Sequence, residues 1–287
     1  MSHSRNAHTL GIALVATGAL CWSTAGLVVR HLDLDPWQIM FWRSLFLMLG
    51  MAPVLAMRRK SVIQACRSAI LPMLASGFLL AGCFIFFILA LSATSVANTL
   101  FVMACSPLLA AVIGRVFFGE RIGTRTWIAI AAAGLGVAIT VWGSLQLGDF
   151  AGASFAFLVA LCFSINANLV RHRRGHSMLP GVFLAGLISA VIAAPIALPS
   201  APAPPDLWLL AYLGIVQLGM GLVLFTIGVR FVPAAQAVVI GLLEIVLGPL
   251  WVWLGHGEQP TAMALLGGGI VITAVATDAF LSVRNNR

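Results

Sequence analysis

Two charged side chains lie well inside long apolar runs, and any chemistry in this chain is expected near them. Glu244 falls about 11 residues into one run, and Arg43 about seven residues into another. A charge near the centre of a bilayer costs about 2.5 to 3.5 kcal/mol on insertion scales, so such residues face a bundle interior or a water-filled cavity. At about 1.5 Å rise per residue their depths differ by about 5 Å, within reach of an arginine side chain. Two readings stay open: a structural ion pair, or the two poles of a site that takes a zwitterion's carboxylate at Arg43 and its amine at Glu244. Other groups share these runs. Trp22, Ser23 and Thr24 are mirrored later in the chain by Phe163, Ser164 and Ile165, and Asn98, Asn166, Asn168, Gln217 and Gln236 add amides. Aromatic walls accept varied apolar groups while hydroxyls and amides orient a polar head. Each polar residue could equally serve as an interhelical hydrogen bond, worth about 0.6 kcal/mol.

Other chemistries are excluded by the residues they require. Lys60 is the single lysine and follows Arg58 and Arg59, so there is no GxxxxGK phosphate loop and no buried lysine for a Schiff base. No H-E-x-x-H occurs, and the stretch from Gly152 to Ala156 fails the G-x-S-x-G pattern at its last position. A pair of intramembrane aspartates would need two deep Asp, and Asp278 alone qualifies. Cys21, Cys83, Cys105 and Cys162 sit in apolar runs and read as small core residues. No enzyme, cofactor or metal is expected.

The elements that hold these residues follow from composition. Of 287 residues 61% are hydrophobic and 8% charged. A soluble domain has about 25% charged residues, so this chain cannot cover a water-facing surface. A span needs roughly 20 apolar residues. The runs predict ten, near 10–30, 36–57, 68–91, 95–118, 124–143, 149–171, 178–198, 207–229, 233–254 and 260–282, numbered here as spans 1 to 10. Span 1 is too long for a signal peptide and has no A-x-A site after it, so it is expected to remain as a helix. Net charge is +8, yet nucleic acid is not the expected partner. With the N-terminus inside, inner loops and tails hold 13 of the 16 Lys and Arg, among them Arg5, Arg58, Arg59, Lys60, Arg67, Arg121, Arg125, Arg171, Arg173 and Arg174. Asp33, Asp35, Asp149, Asp206 and Glu258 fall outside. That bias predicts cytoplasmic termini.

Residues 19–31, ALCWSTAGLVVRH, align without gaps to residues 160–172, ALCFSINANLVRH, with seven of 13 identical. The chain therefore divides into two five-span copies, 1–146 and 147–287. Five is odd, so the copies have inverted topology. The predicted class is an all-α polytopic membrane protein of ten transmembrane helices in two inverted repeats. Inverted repeats support alternating access to a site near the midplane.

With this layout, the aromatic-Ser pairs (Trp22-Ser23, Phe163-Ser164) and the Gly-Glu pairs after spans 4 and 9 (Gly119-Glu120, Gly257-Glu258), the chain resembles the EamA-type members of the drug/metabolite transporter superfamily. The resemblance covers each half once. The family's mid-helix proline in span 4 matches Pro107. In span 9 the equivalent position is Ile245, and Pro249 is displaced by a turn, so Pro107 and Pro249 are the expected hinges. The length and lack of a charged lining are most similar to bacterial amino-acid and metabolite exporters of the YddG type.

The resemblance implies export of small metabolites, amino acids foremost, across a bacterial inner membrane. The substrate site is expected at Trp22, Ser23, Arg43, Asn98, Phe163, Ser164, Asn166, Gln217 and Glu244, with membrane lipids, a proton gradient and a monomer or homodimer as further expectations. Glu120 and Glu258 read as helix-end markers. Carriers of nucleotide sugars or lipophilic drugs, and a non-transporting scaffold, are the alternatives. A nucleotide carrier should offer several cavity cations, and Arg43 alone qualifies.

Overall fold

The computed structural model describes residues 2–59, 62–63, 69–119, 123–146, 148–172, 179–198, 201–232 and 234–285. Lys60, Arg67, Glu120, Arg121, Arg173, Arg174 and Arg287 lie outside the described residues, as do the side chains of Arg5, Arg171 and Gln236. Among the described residues ten helices are long and apolar enough to cross a membrane, and there is no strand. They run Ala7–His31, Pro36–Met57, Ile70–Ala93, Val96–Phe118, Thr124–Gly143, Phe150–Val170, Leu179–Ala197, Pro204–Gly228, Ala237–His256 and Ala262–Leu281, spans 1 to 10 in order. Hydrocarbon supplies no partner for a backbone N–H or C=O, so each apolar run must close its hydrogen bonds internally as helix. The outer surface keeps large apolar side chains, such as Phe78, Phe117, Ile128, Ile196 and Leu254, facing where lipid lies. Trp127, Trp142 and Trp208 are exposed at span ends, as an interfacial belt requires.

The packing relates the two halves. Span 3 lies on span 6 as span 8 lies on span 1, and span 4 lies on span 6 as span 9 lies on span 1. Spans 2 and 7 pack on each other, and so do spans 5 and 10. Local details repeat. His31 Nδ1 bonds the Leu27 carbonyl at 2.8 Å, and His172 Nδ1 bonds the Asn168 carbonyl at 2.9 Å. The His31 ring meets His256, and the His172 ring stacks on Phe118. Gly11 packs on Phe231 after span 8, and Gly152 packs on Thr94 after span 3. Since successive spans alternate in direction and five is odd, each span runs opposite to its counterpart.

Three spans depart from a plain α-helix. Span 1 is interrupted at Thr24, between helices Ser2–Ser23 and Ala25–His31. Span 4 is interrupted at Ala104 and Cys105, between Val96–Met103 and Ser106–Phe118. Pro107 sits in the first turn of the second piece and lacks the N–H that would bond Met103. The Ser106 hydroxyl donates to the Met103 carbonyl instead. Span 8 is π-helical over Tyr212–Met220. Span 9, by contrast, runs unbroken through Pro249 as part of the helix Ala234–His256, so the proline a turn away from the repeat position does not create a matching interruption.

Spans 5 and 10 approach closely because they meet at glycines. A Cβ on Gly136 would lie 2.6 Å from the Gly267 carbonyl oxygen, while one on Gly134 would meet nothing within 4 Å. Gly136→Val should therefore destabilise the protein by about 1 to 3 kcal/mol through overpacking, read as a lowered melting temperature in detergent. Gly134→Val should melt with wild type.

Candidate functional site

Span 1 breaks where its own hydroxyls compete for the backbone. Ser23 Oγ donates to the Leu20 carbonyl at 2.8 Å, and Thr24 Oγ1 donates to the Cys21 carbonyl at 2.7 Å. Such local bonds offer the chain an alternative to the helical ladder. Two other spans bond the residues at this break. Trp251 Nε1 of span 9 donates to Ser23 Oγ at 3.0 Å. Tyr212 of span 8 lies 2.9 Å from Thr24 Oγ1. Thr24 has already given its one hydroxyl hydrogen to Cys21, so the Tyr212 hydroxyl is the donor. Gln217 Nε2, also on span 8, donates at 3.5 Å to the Trp22 carbonyl.

Gln217 carries the network to span 2, where Arg43 Nη2 donates to Gln217 Oε1 at 3.2 Å. The guanidinium carbon stands 5.9 Å from the Phe84 ring centroid and 5.6 Å from that of Phe87, both on span 3. Arg43 is 4% exposed, and among the described residues no carboxylate pairs with it. Its Nε is buried without a hydrogen-bond partner, as is the indole Nε1 of Trp22. The alternative of an Arg43–Glu244 ion pair is thus corrected: Arg43 is turned to Gln217 and two phenyl faces. Glu244 lies on span 9, partly exposed, and forms no hydrogen bond or ion pair among the described residues.

A second polar cluster surrounds the break in span 4. Ser164 Oγ lies 2.8 Å from the Ser106 carbonyl and 2.6 Å from that of Ala160. Asn168 Nδ2 donates to the Ala110 carbonyl at 2.9 Å and to the Ser164 carbonyl at 3.0 Å. Ser76 Oγ donates to Asn166 Oδ1 at 2.7 Å, tying span 3 to span 6. Asn98 lies in the first turn of span 4 and donates to Thr94 Oγ1 at 3.1 Å. Phe163 is 46% exposed and stands apart from these bonds. The structure thus joins Trp22, Ser23, Arg43 and Gln217 in one network and Ser164 and Asn168 in another, while Asn166 is bonded separately to Ser76 of span 3. Asn98, Phe163 and Glu244 are joined to neither.

One end of the bundle carries a third network. Gly257 takes φ +76°, a left-handed turn that ends span 9 and leaves Glu258 beside spans 1 and 4. Glu258 Oε2 accepts from Arg30 Nε at 2.7 Å, and Oε1 accepts from the Val96 backbone N–H at 2.7 Å. Arg30 Nη2 also donates to the Thr94 carbonyl at 2.8 Å. Glu258 therefore does more than mark the start of span 10. Gly119 takes the same left-handed turn at φ +67° after span 4, and the Glu120 that follows lies outside the described residues.

A groove of about 810 Å³ lies away from these networks, between spans 5 and 10. Asp278 at its edge accepts from Thr126 at 2.9 Å and faces Arg125 at 3.4 Å. It is held as a structural ion, and no second aspartate joins it among the described residues. No group of His, Cys, Asp and Glu that could hold a metal occurs among the described residues.

Sequence reasoning missed Tyr212, Phe84, Phe87 and Trp251. Tyr212 carried a signal, being the one tyrosine of the chain and set within an apolar run.

Ten spans in two related halves, with interrupted helices meeting at buried polar groups, define a polytopic membrane transporter. The profile of the EamA-like transporter family matches residues 9–142 and again 150–277, and the chain belongs to that family. It is 26% identical over 268 residues to an uncharacterized transporter of Archaeoglobus fulgidus, covering 92% of this chain and 94% of that protein. A solved structure described as a crystal structure of a protein shares the fold, with TM-score 0.68 and 18% identity, over 96% of this chain and 99% of that one.

Removing the Glu258 charge leaves a buried-edge arginine and a span 4 N-terminus with a weaker acceptor. Glu258→Gln should cost about 1.5 to 3 kcal/mol, the range for hydrogen bonds to charged groups, read as a lowered melting temperature. Asp33→Asn, at an exposed position between spans 1 and 2, should leave it unchanged.

Proposed function

We propose that the chain exports small carboxylate-bearing metabolites, amino acids foremost, from the cytoplasm across a bacterial inner membrane. Both termini lie in the cytoplasm, and the two inverted repeats, 1–146 and 147–287, exchange conformations to open the site to either side in turn. The observation that carries this reading is Arg43. A buried guanidinium without a carboxylate is costly in a membrane, and its own Nε lacks an acceptor among the described residues, as does the indole N–H of Trp22, whose carbonyl Gln217 bonds. The missing group is an anion with several lone pairs, and a substrate carboxylate supplies it. Gln217, an uncharged partner, is then displaced. The rings of Trp22, Phe84 and Phe87, with Phe225 5.0 Å from Trp22, form walls that tolerate varied apolar side chains.

Ser23 and Ser164 keep the neighbouring backbone satisfied, and Asn98, Asn166 and Phe163 are assigned to the cavity of the opposite half. Pro107 and Pro249 supply the flexing points of spans 4 and 9. Glu244 receives the substrate amine or a coupling proton, since no group among the described residues pairs with it. The aromatic walls favour a second reading, a carrier of lipophilic compounds; for such cargo Arg43 would be dispensable.

Counterflow of labelled amino acids in proteoliposomes tests the proposal. Wild type should exchange at least one amino acid above empty vesicles. Arg43→Gln should lose about 3 kcal/mol of binding, the upper range for a hydrogen bond to a charged group, and so nearly all flux. Undiminished flux in Arg43→Gln removes the carboxylate role and favours the lipophilic reading. A separate outcome concerns coupling: Glu244→Gln should flatten the dependence of flux on pH, and a wild-type pH profile in that variant removes Glu244 from coupling.

A further inference from the structure

The π-helical stretch of span 8 does something an α-helix could not. In an α-helix Tyr212 and Gln217, five residues apart, would point about 140° apart around the axis. With i to i+5 bonding the turn is wider, and residues five apart come closer to a common face. Both side chains therefore face span 1, Tyr212 bonding Thr24 at the interruption and Gln217 bonding the carbonyl of Trp22 on the preceding turn. Gly214 seats this stretch on span 2 beside Arg43. A Cβ there would lie 2.5 Å from the Arg43 carbonyl oxygen and 2.6 Å from Phe46 Cβ. Span 3, the counterpart of span 8, is α-helical throughout Ile70–Ala93. The wide turn thus occurs in span 8, which packs on span 2 beside Arg43, and not in its repeat counterpart. π segments commonly mark functional positions.

We propose that Tyr212 is a positioning residue of the central site, which holds the broken turn of span 1 through Thr24 in register with the Gln217–Arg43 contact. Two residues of the π stretch thus hold the break at Thr24 and the turn that leads into it at Trp22. Displacement of Gln217 from Arg43 is then felt at Thr24 through a rigid shared segment, and the break in span 1 responds as a unit with the binding group. Tyr212 touches no cargo in this account, so its role does not depend on what is carried.

The test reads the break directly. Cys21 lies three residues before Thr24, is half-buried, and lends its carbonyl to Thr24. A variant that keeps Cys21 and replaces the other four cysteines with alanine reports on this turn by its rate of alkylation with a small neutral maleimide in detergent. Tyr212→Phe keeps the ring and removes the bond, and should raise that rate about three- to tenfold, the range expected for one net hydrogen bond. Thr24→Val should do the same, the double variant should go no further than either single, and Thr24→Ser should stay at the wild-type rate. A matching variant that keeps only Cys162, the repeat counterpart on span 6, should not respond to Tyr212→Phe. An unchanged Cys21 rate in Tyr212→Phe overturns the proposal. So does a double variant in which the two effects multiply, or a Cys162 rate that rises equally, which would mean general loosening. Because no substrate enters the assay, these results stand apart from the transport reading.

Discussion

Hydrocarbon offers no partner to an unpaired backbone group, and that constraint shapes every unusual feature of this protein. A soluble protein can interrupt a helix and let water take up the freed carbonyls. Here each interruption needs side chains. Span 1 breaks where Ser23 and Thr24 bond their own turn and where Tyr212 and Trp251 bond them in return. Span 4 breaks beside Pro107, where Ser106, Ser164 and Asn168 take up carbonyls. The polar residues of the spans are therefore mostly the means by which broken helices persist in lipid, and the broken helices in turn create places for a site.

Arg43 departs from that pattern. Its contacts, one amide oxygen and two phenyl faces, hold the guanidinium in place without neutralising it. A purely structural arginine would be expected to meet Asp or Glu, as Arg30 meets Glu258 and Arg125 meets Asp278 in this same molecule. These two paired arginines contrast with Arg43, which is buried without a carboxylate among the described residues. The paired ones sit towards span ends and join elements. The unpaired one sits among aromatic rings next to an interrupted helix.

Much of the fold was legible in the residues. Hydropathy alone marks ten spans because a bilayer demands length and apolarity, and span boundaries differ from expectation by only a few residues. The repeat was legible too, from 13 aligned positions, and it reappears as the matched bonds of His31 and His172. The site was less so. Depth counting placed Arg43 and Glu244 at similar levels but could not say which face of each helix they occupy, and so left open an ion pair that does not form. The offset of Pro249 from the repeat position was legible as well, and span 9 runs unbroken through it while span 4 is interrupted beside Pro107. The π turn in span 8 was not legible in the residues, although Gly214, where spans 2 and 8 approach closely, lies within it. Glu258 was legible as a helix-end residue, but its reach to Arg30 and Val96 depends on three spans meeting in space.

The account turns on a carboxylate being what Arg43 awaits. The most direct measurement compares binding to the purified protein, by calorimetry, of a transported amino acid and its carboxamide analogue, identical except for the charge and lone pairs at one end. The account predicts binding at least about tenfold weaker for the amide, as loss of a charge-assisted hydrogen bond implies. Equal affinity for the two would contradict it.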